Sequence, residues 1–150
     1  MKTPKSLRAR ALDILARREV SRSELKRKLA PYAESEEEVE RVLAEFAERN
    51  WQSDQRFTEA FIHSKSRRYG TLRLKHALAE KGIDPETARA SLPSQTQECA
   101  TAQAVLLKKF KRPAADLSEK QKQMRFLAYR GFDMDTINRA MKTAWQKEEN

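Results

Sequence analysis

Three clusters of cations are the residues of this chain whose types and spacing could do chemistry. Lys65, Arg67, Arg68, Arg73 and Lys75 crowd around one helix junction, with Tyr69 among them. Arg17, Arg18, Arg22, Lys26 and Arg27 form a second cluster, and Lys108, Lys109, Lys111 and Arg112 a third. Lysine and arginine at this density suit contact with phosphates, and an interleaved aromatic can support a base. The plainer alternative for each cluster is a solvated helix face. An acidic stretch follows the second cluster, with seven Glu against Arg41 over residues 34–48. That run suits a basic partner surface, or simply keeps a helix in solution. The whole chain of 150 residues carries a formal charge of +9, unevenly placed, which favours a polyanionic partner.

Other chemistries find little support. His63 and His76 are the only histidines, and neither falls in a metal-ligand spacing. Three glycines in the whole chain make no phosphate-cradling loop. Ser, Cys and acidic residues occur without a nucleophile-plus-base pattern. The expectation is a non-enzyme with neither cofactor nor metal. Cys99 is the one cysteine, so no internal disulfide framework is possible, and it reads as a small buried apolar residue. No apolar run is long enough to span a bilayer. Met1-Lys2-Thr3-Pro4-Lys5 leads into a charged helix and not into an apolar signal core, so a cytoplasmic protein is expected; a monomer is expected as well.

The elements that must position the cations come from a repeat. Leu78-Ala79-Glu80-Lys81-Gly82-Ile83-Asp84-Pro85-Glu86-Thr87-Ala88 returns, altered, from Leu127 to Ile137. Each copy is a helix end, a turn and a helix start. Lys81 and Arg130 suit the last helical turn, where a cation meets unpaired carbonyls. Gly82 and Gly131 suit the left-handed position that ends a helix. Ile83 and Phe132 would fold back as the apolar contact, and Asp84 and Asp133 suit N-caps. The offset of 49 residues, stepped back once more, reaches Leu29-Ala30 and Ser35; this copy has no glycine, and Pro31 follows Leu29-Ala30 instead. A fixed period of this length marks a helical repeat.

Apolar spacing then predicts three helices per repeat. Repeat 1 (residues 1–50) has helices near 6–18, from Ser21 and from Ser35, the last two with capping boxes Ser21/Glu24 and Ser35/Glu38. Repeat 2 (51–92) has helices capped at Ser53 or Asp54, opened by Thr71, and capped by Asp84. Repeat 3 (93–150) has helices from Ser94, after Ser118 and from Asp133. Leu12, Leu72, Leu107, Tyr129 and Met134 are assigned to inward faces, and Trp51 and Trp145 to packing between helices. A unit this small cannot stabilise itself, so an all-α fold of three stacked three-helix repeats, elongated and curved, is expected.

Several spaced blocks resemble the RecX family, regulators of the RecA recombinase. Asn50-Trp51-Gln52-Ser53-Asp54-Gln55-Arg56-Phe57, with Phe61-Ile62 and Tyr69-Gly70, is similar to the family's second repeat. Ser23-Glu24-Leu25 with Leu29 resembles its early helix, and Lys122, Arg125-Phe126-Leu127 and Arg130-Gly131-Phe132 its closing element. Trp51-Gln52 stands where a Tyr-Leu pair is common, which keeps the aromatic. The resemblance implies a protein that binds the RecA–single-stranded DNA filament and restrains its growth, recombination, ATPase and coprotease activity. The other reading open to the sequence is a stand-alone helical DNA-binding protein.

Overall fold

Helix boundaries fall where the caps stand. The structure is a computed structural model that describes residues 4–146, and these form α-helices, one 3-10 turn and no strand. The helices are α1 (Leu7–Arg17), α2 (Arg22–Leu29), α3 (Glu36–Glu48), α4 (Asp54–Lys65), α5 (Thr71–Glu80), α6 (Pro85–Ser91), α7 (Gln95–Lys109), α8 (Leu117–Tyr129) and α9 (Met134–Thr143), with the 3-10 turn at Ala30–Tyr32. The reading of Met1-Lys2-Thr3 lies outside the described residues.

Ser6, Ser21, Ser35, Ser53, Ser94, Asp116 and Asp133 each accept a hydrogen bond from the backbone N–H three residues on. That bond satisfies one of the orphan donors at a helix start. The cap of α8 is Asp116, so the helix begins before Ser118 and not after it. Of the two expected capping boxes, only the serine halves form. Glu38 reaches back to the N–H of Glu34, and the Glu24 carboxylate turns to Arg18 and Lys81. The reciprocal box forms instead at Ser94 and Gln97.

Gly82 (φ 76°) and Gly131 (φ 95°) do take the left-handed conformation. Ile83 N–H donates to the Leu78 carbonyl (3.0 Å) and Phe132 N–H to that of Leu127 (3.2 Å), the longer bond of a Schellman end. Ile83 and Phe132 are buried there. A third such end closes α3, where Asn50 is left-handed (φ 57°) and Trp51 N–H donates to the Phe46 carbonyl (2.8 Å). Asparagine tolerates this conformation better than most residues.

The chain packs as two compact units. The first comprises Met1–Phe61 and Leu78–Ala90, the second Ile62–Ala77 and Ser91–Asn150. In the first, Leu7, Ala11, Val20, Leu25, Leu29, Val39, Val42, Leu43 and Phe46 form one buried cluster from α1, α2, α3 and the α1–α2 link. In the second, Ala102, Val105, Leu106, Leu127, Phe132, Ile137 and Ala140 join α7, α8, the α8–α9 turn and α9. Helices under about 12–15 residues are marginal alone in water. Most of these are shorter, so they stand by burial, worth about 1.5–3 kcal/mol for each large side chain.

Five inward assignments are corrected. Leu12, Leu72, Leu107, Tyr129 and Met134 are exposed. Each lies at the margin of its apolar stripe, and packing covers only the stripe's centre. Trp51 is also partly open to solvent: it meets the Phe46 ring edge-on at 5.2 Å, with the guanidinium groups of Arg8 and Arg49 near its ring. Cys99 is half-buried, with the Gln95 amide 3.6 Å from its Sγ.

Candidate nucleic-acid interface

The central cation cluster is placed by a pair of glycines in the second unit. Gly70, just before α5, donates its N–H to the Arg130 carbonyl (2.8 Å), and Leu72 N–H donates to that of Gly131 (3.0 Å). A Cβ on Gly70 would collide with the Gly131 carbonyl, and one on Gly131 would reach the Cβ of Arg73 and lie 2.7 Å from its backbone nitrogen. Two loops therefore touch main chain to main chain. The start of α5 is tied a second time, because buried Glu98 on α7 accepts the Thr71 N–H at 2.8 Å.

This joint brings cations and rings into alternation. Arg73 lies 5.7 Å from the Tyr129 ring and 4.0 Å from the Tyr69 ring. Arg130 lies 5.7 Å from Tyr69 and 5.2 Å from Phe126, and Lys109 sits 6.0 Å from Phe126 on the far side of the series. Arg68 is also near Tyr69, at 5.5 Å. Phe126 is braced edge-on by Phe110 at 5.6 Å. The Arg130 guanidinium donates to the Arg68 carbonyl (3.3 Å), and that of Arg73 to the Tyr129 carbonyl (3.5 Å). Each cation–π contact is worth roughly 0.5–1 kcal/mol at such exposure. Their joint effect is to hold long, mobile cations in place.

Beside the series lies a cleft of about 390 Å³ lined by Arg67, Arg68, Ala104, Val105, Lys108, Lys109, Phe126 and Arg130. None of these lining residues is acidic. Among the described residues, no ion pair engages Arg67, Arg68, Lys108 or Lys109. The fold thus merges parts of two sequence clusters that lie some forty residues apart. Arg130 and Phe126 complete the cleft. The spacing marks Arg130 as a helix-ending cation, a position that hides the direction of its side chain, and Phe126 as part of the apolar run of its helix.

The remaining candidates are placed differently. Lys65 ends α4 half-buried, and Lys75 on α5 adds to the positive field at Asp133. Lys111 and Arg112 line a second cleft, which shares Lys109 with the first and contains Glu119, and Arg112 pairs with Glu119 at 2.9 Å. The N-terminal cluster lies against the acidic helix α3. Arg22 meets Glu40 at 2.5 Å, Lys26 meets Glu40 at 2.8 Å and Glu36 at 3.6 Å, and Arg18 meets Glu24 at 3.6 Å. Glu45 pairs with Arg8 and Arg49. The Lys26 hydrogen bond holds the Glu40 carboxyl below its ordinary range, and Glu40 in turn raises Lys26. Arg17 and Arg27 are exposed. Much of the acidic run is therefore spent within its own unit.

Among the described residues, no group of three or more His, Cys, Asp or Glu is arranged to hold a metal ion. No described helix is long and apolar enough to cross a membrane.

Comparison with known proteins agrees with this architecture. Residues 53–92 match the second three-helix domain of RecX, and residues 96–141 match the third. The regulatory protein RecX of Neisseria meningitidis serogroup A is 68% identical over 98% of this chain and 96% of its own. That of Chromobacterium violaceum is 46% identical over 91% of this chain and 90% of its own. The crystal structure of RecX from Lactobacillus salivarius superposes with a TM-score of 0.84 at 19% identity, covering 92% of this chain and 94% of that one. Two family domains matched in order, and relatives alike from end to end, make this chain a member of the RecX family of regulatory proteins.

Proposed function

We propose that this protein binds the RecA–single-stranded DNA filament and limits its growth, so lowering the recombinase, ATPase and coprotease activities of RecA. In this reading it acts in the cytoplasm, as a monomer, through three tandem repeats at residues 1–50, 51–92 and 93–150. The observation that carries it is the acid-free cleft of Arg67, Arg68, Lys108, Lys109 and Arg130. Phosphates held by such cations release counterions, and affinity then falls steeply with salt. The N-terminal cluster supports the same choice by contrast, since Arg22 and Lys26 already have carboxylate partners.

The test is a RecA ATPase time course on single-stranded DNA with this protein titrated in. The parent is expected to slow ATP turnover in proportion to its concentration. The variant with Arg67, Arg68, Lys108 and Lys109 all changed to Glu should need at least tenfold more protein for the same effect while keeping its helicity by circular dichroism. Inhibition undiminished in that variant at physiological salt removes the cleft from the contact. A parent without effect on RecA removes the reading itself.

A further inference from the structure

The cleft accounts for phosphates, but not for the ring beside it. Tyr129 ends α8 and is 78% exposed, the most open of the large apolar or aromatic residues on the described surface. It is also the outer member of the alternating series, since Arg73 lies near its ring while Arg73 itself is held by Tyr69. Leu72 and Met134, both more than half exposed, lie either side of the same turn: Leu72 N–H is bonded to the Gly131 carbonyl, and Met134 opens α9 directly after Asp133. Exposed apolar residues thus stand on both sides of the turn that follows Tyr129, and Arg130, the residue after Tyr129, lines the cationic cleft.

The other well-exposed tyrosine shows what the setting adds. Tyr32 is 59% exposed and carries Arg10 at 3.8 Å. It stands just before Glu34 and the acidic first turn of α3, Glu36 to Glu38, which a phosphate backbone would avoid. Arg73 lies near the Tyr129 ring and Arg130 follows it in the chain, while of the two acids at the start of α9 Asp133 accepts the Thr136 N–H and Asp135 pairs with Arg139 at 3.4 Å. An exposed ring with a guanidinium near it, set one residue from a cationic cleft, suits a nucleobase with a free face. Duplex bases show no such face, so the occupant is a single strand.

We infer that Tyr129, supported by Arg73 and Tyr69, is a base-stacking platform that lets the protein grip single-stranded DNA directly while the adjoining cleft holds its phosphates. This rests on the cleft reading above and adds a contact to the DNA itself. Stacking is indifferent to which base is present, so the grip is tolerant of sequence. The hydroxyl is not needed, whereas the ring is.

The experiment measures binding to a fluorescently labelled thymidine oligonucleotide, to an abasic strand with the same number of phosphates, and to a duplex of equal charge. The parent is expected to bind the thymidine strand roughly tenfold more tightly than the abasic one, the range that stacking one base confers. Tyr129→Ala should lose that preference and bind both strands alike, while Tyr129→Phe keeps it. Changing the four cleft cations to Glu should weaken both strands together. A parent that does not distinguish base-bearing from abasic strands, or that binds duplex as tightly as single strand, overturns the platform. So does Tyr129→Ala with its preference intact. The RecA ATPase course judges the filament reading separately, because it reports inhibition whether or not the bare strand is gripped.

Discussion

The same joint is built twice in this molecule, once in each unit, with opposite electrical character. In the first unit the buried Ser21 hydroxyl donates to the Lys81 carbonyl at 2.7 Å, and Gly82 packs on Ser23. Forty-nine residues on, Gly70 N–H donates to the Arg130 carbonyl, and Gly131 packs on Arg73. The backbone plan is shared and the side chains are not. Glu19, Glu24 and Lys81 of the first joint correspond to Arg68, Arg73 and Arg130 of the second. Glu24 is buried between Arg18 and Lys81, at 3.6 and 3.8 Å. Glu19 is taken up by Arg56 at 2.5 Å. The first joint thus consumes its charge internally. The second spreads its arginines over aromatic rings and leaves them for an outside anion. One scaffold position can serve stability or recognition, depending on whether an acid or a base occupies it.

Swapping those charges is the strongest way to break the comparison. Glu24→Arg places a third cation beside Arg18 and Lys81 in a buried site and should cost about 3–5 kcal/mol. The mirror change, Arg73→Glu, puts an acid at a partly open site beside Arg130 and should cost under about 1 kcal/mol, while weakening RecA inhibition. Urea unfolding of both variants measures the asymmetry, and similar losses would mean that the two joints are electrically alike.

The glycines give a somewhat smaller contrast. Valine at either position must adopt a left-handed backbone, which costs about 1–3 kcal/mol. At Gly131 the added atoms also meet the backbone nitrogen of Arg73, whereas at Gly82 they meet the Oγ and Cβ of Ser23, of which the hydroxyl can turn away. Gly131→Val should therefore lose about 3 kcal/mol, and Gly82→Val about 1 kcal/mol less. Thermal melts decide this, and an unchanged melting point for Gly131→Val would refute the main-chain contact.

The caps that follow the two glycines give the smallest effect. The Asp133 carboxylate accepts the Thr136 N–H at 2.8 Å, while that of Asp84 accepts only the Glu86 N–H, at 3.2 Å. The backbone bond from Thr136 holds the Asp133 carboxyl below its ordinary range. A depressed folded value means its stabilisation is complete above the ordinary pKa near 4 and fades as pH falls through the lower folded value. Asp133→Ala should cost about 1 kcal/mol at neutral pH, and Asp84→Ala less. Asp133→Asn should keep neutral stability within about 0.5 kcal/mol and flatten the loss below about pH 4. Melting curves at pH 7 and pH 3 read all three.

The sequence announced the helix ends more clearly than the surface between them. Ser21, Ser35, Ser94, Gly82, Gly131 and Asp133 act through their own backbone neighbours, so their roles show in local spacing. Gly70 carries no such sign, because its task is to let another loop come close, and closeness between distant segments leaves no local mark. Tyr129 looked inward because helical spacing identifies a stripe but not its edge. The cation clusters were visible as composition, yet only the packing of α2 on α3 shows Arg22 and Lys26 occupied by Glu40. It is the packing of the Gly70 and Gly131 loops that brings Tyr69 and Arg73 up to Arg130.

The chain's two tryptophans fall one to each unit. Trp51 sits half-open against Phe46 and two arginines in the first, and Trp145 lies against the apolar cluster of the second with its indole nitrogen buried. Their emission should differ in colour, the drier indole shining bluer. Replacing either one by phenylalanine leaves an optical reporter for a single half of the molecule. Two such proteins, followed through denaturation, would show whether the halves melt in one step or in succession.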